Sequence, residues 1–392
     1  MPTDTSVKFL HSAMTGAPIL TGQAGSLIAL LDACLVNGFG SGTVDSIVIS
    51  NGVATVMRNN GHPFEEGSVA LIAGATVTGG SINGEQKVLA TPAPTSTTYC
   101  FDATGLPNQS ATGSITHKVA PLGWNKVFAG TNLAVYKPSD VAATGCLMRV
   151  DDSSTTTARM VGYEAMSDIS TGSGAFPPNS AVSGGLYIPK SQTSDSAQRP
   201  WIVFGDGRAM SFCHAASTTA AAPQFACSNF FGDPVSLRSP DPYGCTIFGS
   251  PTSGWSFGNP ANELNYCESS SASGALFAAR SYAGIGSYIN QRRSFAQIGA
   301  PTVGYSGNFG VTYPNPVDGG LYLTPLMVLD SSFNALRGAI PGVYQVPQSV
   351  GGQTFQSLAY LRGLVGYPGK VFRVINIGAS GLFFVDITGP WR

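Results

Sequence analysis

The chain has 392 residues, of which 10% are charged and 43% are hydrophobic, and its formal net charge is −1. An average soluble protein has about 25% charged residues. Because this chain has far fewer charged residues but an ordinary share of hydrophobic ones, it can bury a core while it exposes an unusually neutral surface. Its 49 glycines and 26 prolines follow no fixed period, which excludes a collagen repeat, and the near-zero charge argues against a general nucleic-acid binder.

The N-terminal segment does not have the pattern of a targeting signal. "MPTDTSVKFLHSAM" lacks a basic start followed by an apolar run. The longest apolar stretch, "SLIALLDACLV", is about half a membrane span and contains Asp32. We therefore expect a soluble protein that is made in a cytoplasm and does not insert into membranes.

The first organised element is a helix within "TGQAGSLIALLDACLVNGFGSG". Its apolar residues recur at helical spacing and form one stripe: Leu27, Leu30, Leu31, Cys34 and Leu35. Ser26 or Thr21 can cap its start, and Asn37–Gly38 can adopt the left-handed conformation that ends it. A single apolar stripe predicts that the helix lies on a sheet or on a partner.

Strands follow at once. The segments "VDSIVIS" and "VATVMR" alternate apolar and polar residues on either side of Asn51–Gly52, the pattern of a tight β-hairpin. Further short strands recur about every ten residues as far as Pro121, which is typical of a small sandwich or barrel. We predict an all-β, mainly antiparallel protein with one short helix, divided into an N-terminal β-domain (1–122) and a larger β-rich domain (123–392).

The segment from Leu147 to Ile169 concentrates charge in a chain that has little. Asp151 and Asp152 follow the strand "CLMRV", and adjacent residues of a strand point to opposite sides. A polar hairpin with Arg149 and Arg159 beside an acidic turn is therefore favoured over a metal site. Four cysteines and one histidine could in principle supply zinc ligands: Cys213, Cys227, Cys245, Cys267 and His214. Their spacing contains no C-x-x-C pair, so a zinc site is disfavoured. We expect free thiols and no cofactor.

No arrangement of residues predicts catalysis. The four histidines, His11, His62, His117 and His214, are far from any G-x-S-x-G motif. Candidate glycosidase acids stand in turn contexts, where aspartate bonds its own backbone: Asp206, Asp233 and Asp241. Aromatic residues beside glycine fit packed sheets and subunit interfaces better than a sugar-binding surface. We therefore expect a protein that is not an enzyme and whose neutral exterior is covered in an assembly.

Several segments together resemble a family of tailed-bacteriophage virion structural proteins encoded among tail and baseplate genes. They include "GSLIALLDACLVNGFG", "VDSIVISNGVATV", "HPFEEGSVALIAGA", "LGWNKVFAGTNLAVYK", "MRVDDSSTTTARMVGYEAMSDISTGSGAFP" and the terminal "FFVDITGPWR". The resemblance is strongest over residues 20–215 and the last dozen. It implies a virion component assembled in the bacterial cytoplasm, and it carries no catalytic residues over to this chain.

We predict a structural component of the tail tip or baseplate that contacts copies of itself and other phage structural proteins in a symmetric assembly. Leu27 and Leu31 of the helix stripe and Trp391 of "ITGPWR" are the predicted interface residues. The alternatives are a capsid decoration or cement protein, a tip protein that binds a host receptor or carbohydrate, and a tail-associated hydrolase.

Overall fold

The structure is a computed structural model and describes residues 3–216, 227–253, 275–294, 313–330, 335–346, 348, 355–376 and 382–392. It consists mostly of antiparallel sheets, with 43% strand and a single short helix of 12 residues in the described part of the chain. This strand content is about twice the average for globular proteins. The all-β prediction is therefore confirmed.

The N-terminal region forms two four-stranded sheets. Strand β1 (Lys8–His11) precedes helix α1 (Ser26–Leu31), which continues as a π-helical segment, Asp32–Asn37. The next strands are β2 Phe39–Thr43, β3 Ser46–Ser50, β4 Val53–Met57, β5 Val69–Ala73, β6 Gly84–Lys87, β7 Thr98–Asp102, β8 Gln109–Ser110 and β9 Thr116–Val119. The orders β2-β9-β5-β6 and β7-β4-β3-β8 give two sheets that share one hydrophobic core. The predicted hairpin is confirmed, since Asn51 and Gly52 join β3 to β4 with positive φ angles of 51° and 76°.

A five-stranded sheet follows, in the order β10-β11-β12-β13-β16. Its region contains β10 Asn125–Gly130, β11 Leu133–Lys137, β12 Leu147–Asp151, β13 Thr157–Tyr163, β14 Ala165–Met166, β15 Gly172–Ser173 and β16 Leu186–Pro189. Helix α1 and its π-helical continuation pack against this sheet: Asp32 accepts hydrogen bonds from Tyr136 Oη at 2.8 Å and Lys126 Nζ at 2.9 Å. The helix stripe therefore lies on a sheet of its own chain.

The largest sheet has thirteen described strands and contains β1 together with the C-terminal strands. These are β17 Trp201–Gly205, β18 Ala209–His214, β19 Cys227–Gly232, β20 Val235–Ser236, β21 Thr246–Gly249, β22 Ala275–Ala278, β23 Ile289–Ser294, β24 Thr324–Asp330, β25 Ala335–Gln345, β26 Tyr360–Arg362, β27 Val371–Asn376 and β28 Leu382–Asp386. The order runs β1-β17-β18-β19-β21-β22-β23-β24-β25-β28-β27-β26, with β20 paired to β25.

This long sheet folds over so that its first strands face its last. Phe9 of β1 and Phe204 of β17 share a hydrophobic cluster with Phe383 and Val385 of β28. Lys87, at the end of β6, closes the same region, because its buried Nζ donates to the carbonyl oxygens of Val7 (3.2 Å) and Ile387 (2.8 Å).

The domain boundary at residue 122 stays a prediction. Two features of the fold cross it: β1 is an edge strand of the C-terminal sheet, and the helix of the N-terminal region packs on the five-stranded sheet. One hydrophobic cluster also extends from Leu10 to Ala279, so the two parts share buried surface.

Candidate functional site

The acidic turn after β12 contains a buried helix cap. Strands β12 and β13 pair as the predicted hairpin, with Asp151 opposite Arg159. The two aspartates do point to different environments: Asp151 is half-buried beside Arg149, whereas Asp152 is fully buried. Asp152 Oδ2 accepts hydrogen bonds from the backbone N–H groups of Leu27 (2.8 Å) and Ile28 (3.3 Å) in helix α1.

The prediction that Ser26 or Thr21 caps the helix is therefore wrong. The residue before the helix is Gly25, which is left-handed, and Ser26 Oγ donates to the carbonyl of Thr21 instead of capping. The free N–H groups of the first turn are bonded by Asp152, which lies far away in sequence. The helix does end at Gly38 as predicted, where φ is 72° and the N–H bonds the carbonyl of Ala33, but a ψ of 176° gives an extended conformation in place of the predicted left-handed helical one.

Lys190 completes this buried site. It follows β16, is fully buried, and its Nζ contacts Asp152 Oδ1 and donates to the carbonyl of Gln23 at 2.6 Å. Burial raises the pKa of Asp152, although Lys190 and the two helix N–H groups act in the opposite direction. Burial lowers the pKa of Lys190, although the carboxylate of Asp152 acts to raise it. Both shifts favour the uncharged forms of the pair, because neither charge is solvated by water.

Two of the three turn aspartates predicted from the sequence, Asp233 and Asp241, line one polar cleft of about 480 Å³, and Asp206 pairs with Arg392 of its wall; each carboxylate is already bound. Asp206 accepts from the N–H groups of Arg208 and Ala209 (both 2.8 Å), and Arg392 Nε lies 3.1 Å away. Asp233 accepts from Thr144 N (2.8 Å) and Thr144 Oγ1 (2.6 Å), and Asp241 forms a two-pronged ion pair with Arg337. Asp233, Asp241, Arg208 and Arg392 line the cleft. Asp206 and Asp241 accept from backbone N–H groups two residues further on, as their turn contexts predicted, whereas Asp233 bonds Thr144, 89 residues away.

A second charged cluster joins the N-terminal region to the C-terminal strands through Glu65. Its carboxylate lies 3.0 Å from His11 Nε2 and 2.9 Å from Arg373 Nη1, and the Arg373 guanidinium lies 4.1 Å from the ring centre of Tyr360. Burial alone would raise the pKa of Glu65, but the hydrogen bond and charge of His11, with those of Arg373, lower it to about 2. Sequence reasoning missed Glu65, since nothing local distinguishes it from an ordinary loop glutamate.

The remaining histidines are buried and held neutral. Tyr99 and His117 hydrogen-bond across the N-terminal sandwich at 2.9 Å, and His62 packs edge-on against Tyr99. Burial, with the nearby charges of Arg58 and His62, lowers the pKa of His117 to about 4. Burial also lowers the pKa of His214 to about 4, although its Nε2 bonds the carbonyl of Pro189 at 2.7 Å.

The cysteine candidates do not all lie in one cluster. Cys213 and Cys227 belong to the cluster inside the long sheet, whereas Cys245 belongs to the other core, and Cys267 lies outside the described residues. Among the residues that the structure describes, no group of three or more histidine, cysteine or acidic side chains is arranged to hold a metal ion. In the same part of the chain no helix has the length and apolar character to cross a membrane.

An apolar groove of about 630 Å³ lies where β20, the loop before β23 and the ends of β24 and β25 meet. Leu237, Ile285 and Leu336 line it, and their side chains are 59%, 77% and 45% exposed. Tyr282 forms another part of the wall, with the guanidinium of Arg238 5.1 Å from its ring centre. Single exposed apolar residues are ordinary, but several in one concave surface are typical of an interaction site.

The predicted interface residues lie elsewhere. Leu27 and Leu31 are fully buried in the core between helix and sheet, so they are not available to a neighbour in this fold. Trp391 is half-buried; its Nε1 donates to the carbonyl of Asp386 at 2.8 Å, and its ring packs over Gly342. All three side chains contact their own chain, the interface role of Trp391 stays a prediction, and the groove is a separate exposed apolar surface.

No family model and no curated protein matches the chain. Among solved structures it is similar to the phage phi92 endosialidase, with 14% sequence identity and a TM-score of 0.17. The match covers 89% of this chain, which spans 57% of the length of that endosialidase chain. A likeness this weak carries no argument about the activity of this protein.

Proposed function

We propose that this protein is a structural component of a bacteriophage virion, located in the tail tip or baseplate, where it contacts copies of itself. The family resemblance of its segments supplies the phage context. The observation that carries the assembly role is the groove lined by Leu237, Ile285 and Leu336, because a soluble protein rarely leaves such a concave apolar surface uncovered.

A second copy of the chain is the occupant that the charges favour. The net charge of −1 means that two copies do not repel each other over long distances. Many charges are also neutralised within the chain, including Arg337 in the groove wall, which is paired with Asp241. Burying Arg337 against a similar neutral surface therefore does not carry the cost of desolvating an unpaired charge.

Self-association tests the groove directly. A double variant with Leu237→Asp and Ile285→Asp should remain monomeric at concentrations where the wild type forms a larger species, as measured by light scattering after gel filtration. The control places the same charges at exposed valines outside the groove, Val141→Asp with Val365→Asp, and should associate like the wild type. A monomeric wild type, or equal association of both double variants, would contradict the role of the groove in self-assembly.

The position in the particle is tested with gold-labelled antibodies on intact phage, viewed by electron microscopy. Label at the far end of the tail is the expected result. Label over the head would replace the tail role with capsid decoration, and an absence of the protein from disrupted particles would refute the virion role.

A host-receptor or carbohydrate role is the second candidate, and the observation that favours it is the pair formed in the groove by half-buried Tyr282 and exposed Arg238. Aromatic faces stack on sugar rings, and a guanidinium binds anionic groups. Specific binding on a glycan array that is lost with Tyr282→Ala would favour this role over scaffolding.

A further inference from the structure

We propose that Lys190 and Asp152 condense to form an intramolecular isopeptide bond between Lys190 Nζ and Asp152 Cγ. The two side chains are in direct contact, and both are fully buried in the folded chain. The inference does not depend on the proposed virion role, since it concerns only chemistry inside one chain.

Proximity is the first requirement for such a reaction. Lys190 Nζ contacts Asp152 Oδ1, so the carboxyl carbon lies one covalent bond beyond the contact. The nitrogen is further held by the carbonyl of Gln23 at 2.6 Å. A nucleophile fixed beside an electrophile reacts at a large effective concentration, because little further entropy is lost on the way to the transition state.

The protonation states are the second requirement. Amide formation needs a neutral amine and a carboxyl group whose leaving oxygen is protonated. Burial raises the pKa of Asp152 and lowers the pKa of Lys190, so transfer of one proton from the ammonium group to Oδ1 costs less here than in water. The contact between Nζ and Oδ1 provides the path for that proton.

The third requirement is stabilisation of the tetrahedral intermediate. When Nζ attacks Cγ, negative charge develops on Oδ2. Oδ2 already accepts from the backbone N–H groups of Leu27 at 2.8 Å and Ile28 at 3.3 Å, and these donors belong to a rigid helix. They therefore act as an oxyanion hole in a fully buried site.

The atoms balance without an oxidant or any other reactant. The Nζ–Cγ bond forms and the Cγ–Oδ1 bond breaks, and Oδ1 leaves as water with two protons that both come from the original ammonium group. The product is a neutral amide. Its oxygen keeps the two helix N–H bonds, and its N–H can keep the bond to Gln23, so every polar partner remains satisfied while two buried charges disappear.

Mass spectrometry of the purified full-length protein tests the proposal. Most of the protein should be lighter than its sequence mass by one water. Trypsin should not cut after Lys190, and fragmentation of the product should show two N-termini, at Val150 and Met160, in one branched peptide. The Lys126–Asp32 pair, which is partly exposed at 2.9 Å, is the internal control and should remain unlinked.

Formation of a succinimide at Asp152 would also remove one water, and the Lys190→Met variant distinguishes this reaction from the cross-link. The variant should have its full calculated mass. A wild-type protein of full mass that trypsin cuts freely after Lys190 would overturn the proposal, and so would a loss of water that persists in Lys190→Met. If the variant does not fold, the two N-termini in the wild-type peptide decide the question alone.

Discussion

At the scale of single residues, Asp152 links three elements that are distant in sequence. It follows strand β12, caps helix α1, and pairs with Lys190 after β16. Buried polar groups are tolerated only when their hydrogen bonds are made, and here the carboxyl group of Asp152 is bound on both oxygens. Removing it would leave a buried lysine and two helix N–H groups without their acceptor.

We therefore expect Asp152→Ala to lower the free energy of unfolding by at least roughly 3–5 kcal/mol, the range for breaking a buried pair, since the variant also loses the proposed cross-link. The neighbouring Asp151→Ala is the matched control and should cost less than about 1 kcal/mol, because Asp151 is a partly exposed ion-pair residue. The midpoint of urea unfolding for both variants, measured side by side, checks the difference. Equal shifts would show that the cap contributes little.

We expect His117 to make the stability of the folded chain depend on pH. Its ordinary pKa is 6.5, and burial, Arg58 and His62 lower it to about 4 in the folded chain. As the pH falls below 6.5, His117 binds a proton in the unfolded chain but not in the folded chain. Its contribution to the free energy of unfolding is therefore fully present above pH 6.5 and declines toward pH 4. The loss from this one residue is at most about 3 kcal/mol.

His117→Gln should flatten the decline between pH 6.5 and 4, because glutamine does not titrate and still offers an acceptor to Tyr99. Thermal melting of the wild type and the variant at pH 7 and pH 4.5 provides the measurement. Parallel losses of melting temperature in the two proteins would assign the acid sensitivity to other groups, such as His214.

At the scale of elements, the C-terminal tail is fixed by its contact with β25. The indole of Trp391 packs directly on Gly342, whose φ of 68° lies in the left-handed region. A side chain at this position would collide with the ring and would also strain the backbone.

Gly342→Ala should therefore displace Trp391 and destabilise the chain by about 1–3 kcal/mol more than Gly363→Ala. Gly363 has the same φ of 68° but open space where a Cβ would lie, so the pair of variants isolates the collision from the strain. Tryptophan fluorescence reports the displacement, and urea unfolding reports the stability. Similar spectra and midpoints for the two variants would contradict the packing role of the tail.

At the scale of the whole molecule, Lys87 ties the beginning of the long sheet to its end. Its buried ammonium group bonds the carbonyls of Val7 and Ile387, and burial lowers its pKa to about 8. A single side chain thus satisfies two backbone groups from opposite ends of the chain.

Lys87→Met should destabilise the chain by about 1–3 kcal/mol, the cost of leaving buried acceptors unsatisfied, and should expose the segment before β1 to proteases. Lys118→Met is the control, since Lys118 Nζ bonds the carbonyl of Asn37 at an exposed position. Limited proteolysis followed by N-terminal sequencing measures the effect. Equal protection of the N-terminus in both variants would show that the sheet stays closed without Lys87.

Local patterns in the sequence determined the class of fold. Helical spacing from Leu27 to Leu35 predicted the helix and its buried stripe, and Asn51–Gly52 predicted the hairpin, because side-chain periodicity and turn conformation depend on neighbouring residues. The alternation of Asp151 and Asp152 likewise followed from strand geometry.

Only the tertiary structure decided which partners these residues meet. Asp152 caps a helix 125 residues away, and Lys87 bonds a carbonyl 300 residues away. The groove of Leu237, Ile285 and Leu336 also collects residues from separate strands and loops. Contacts of this kind depend on the order in which strands pair and on how the sheet closes, and no period within the sequence encodes either one.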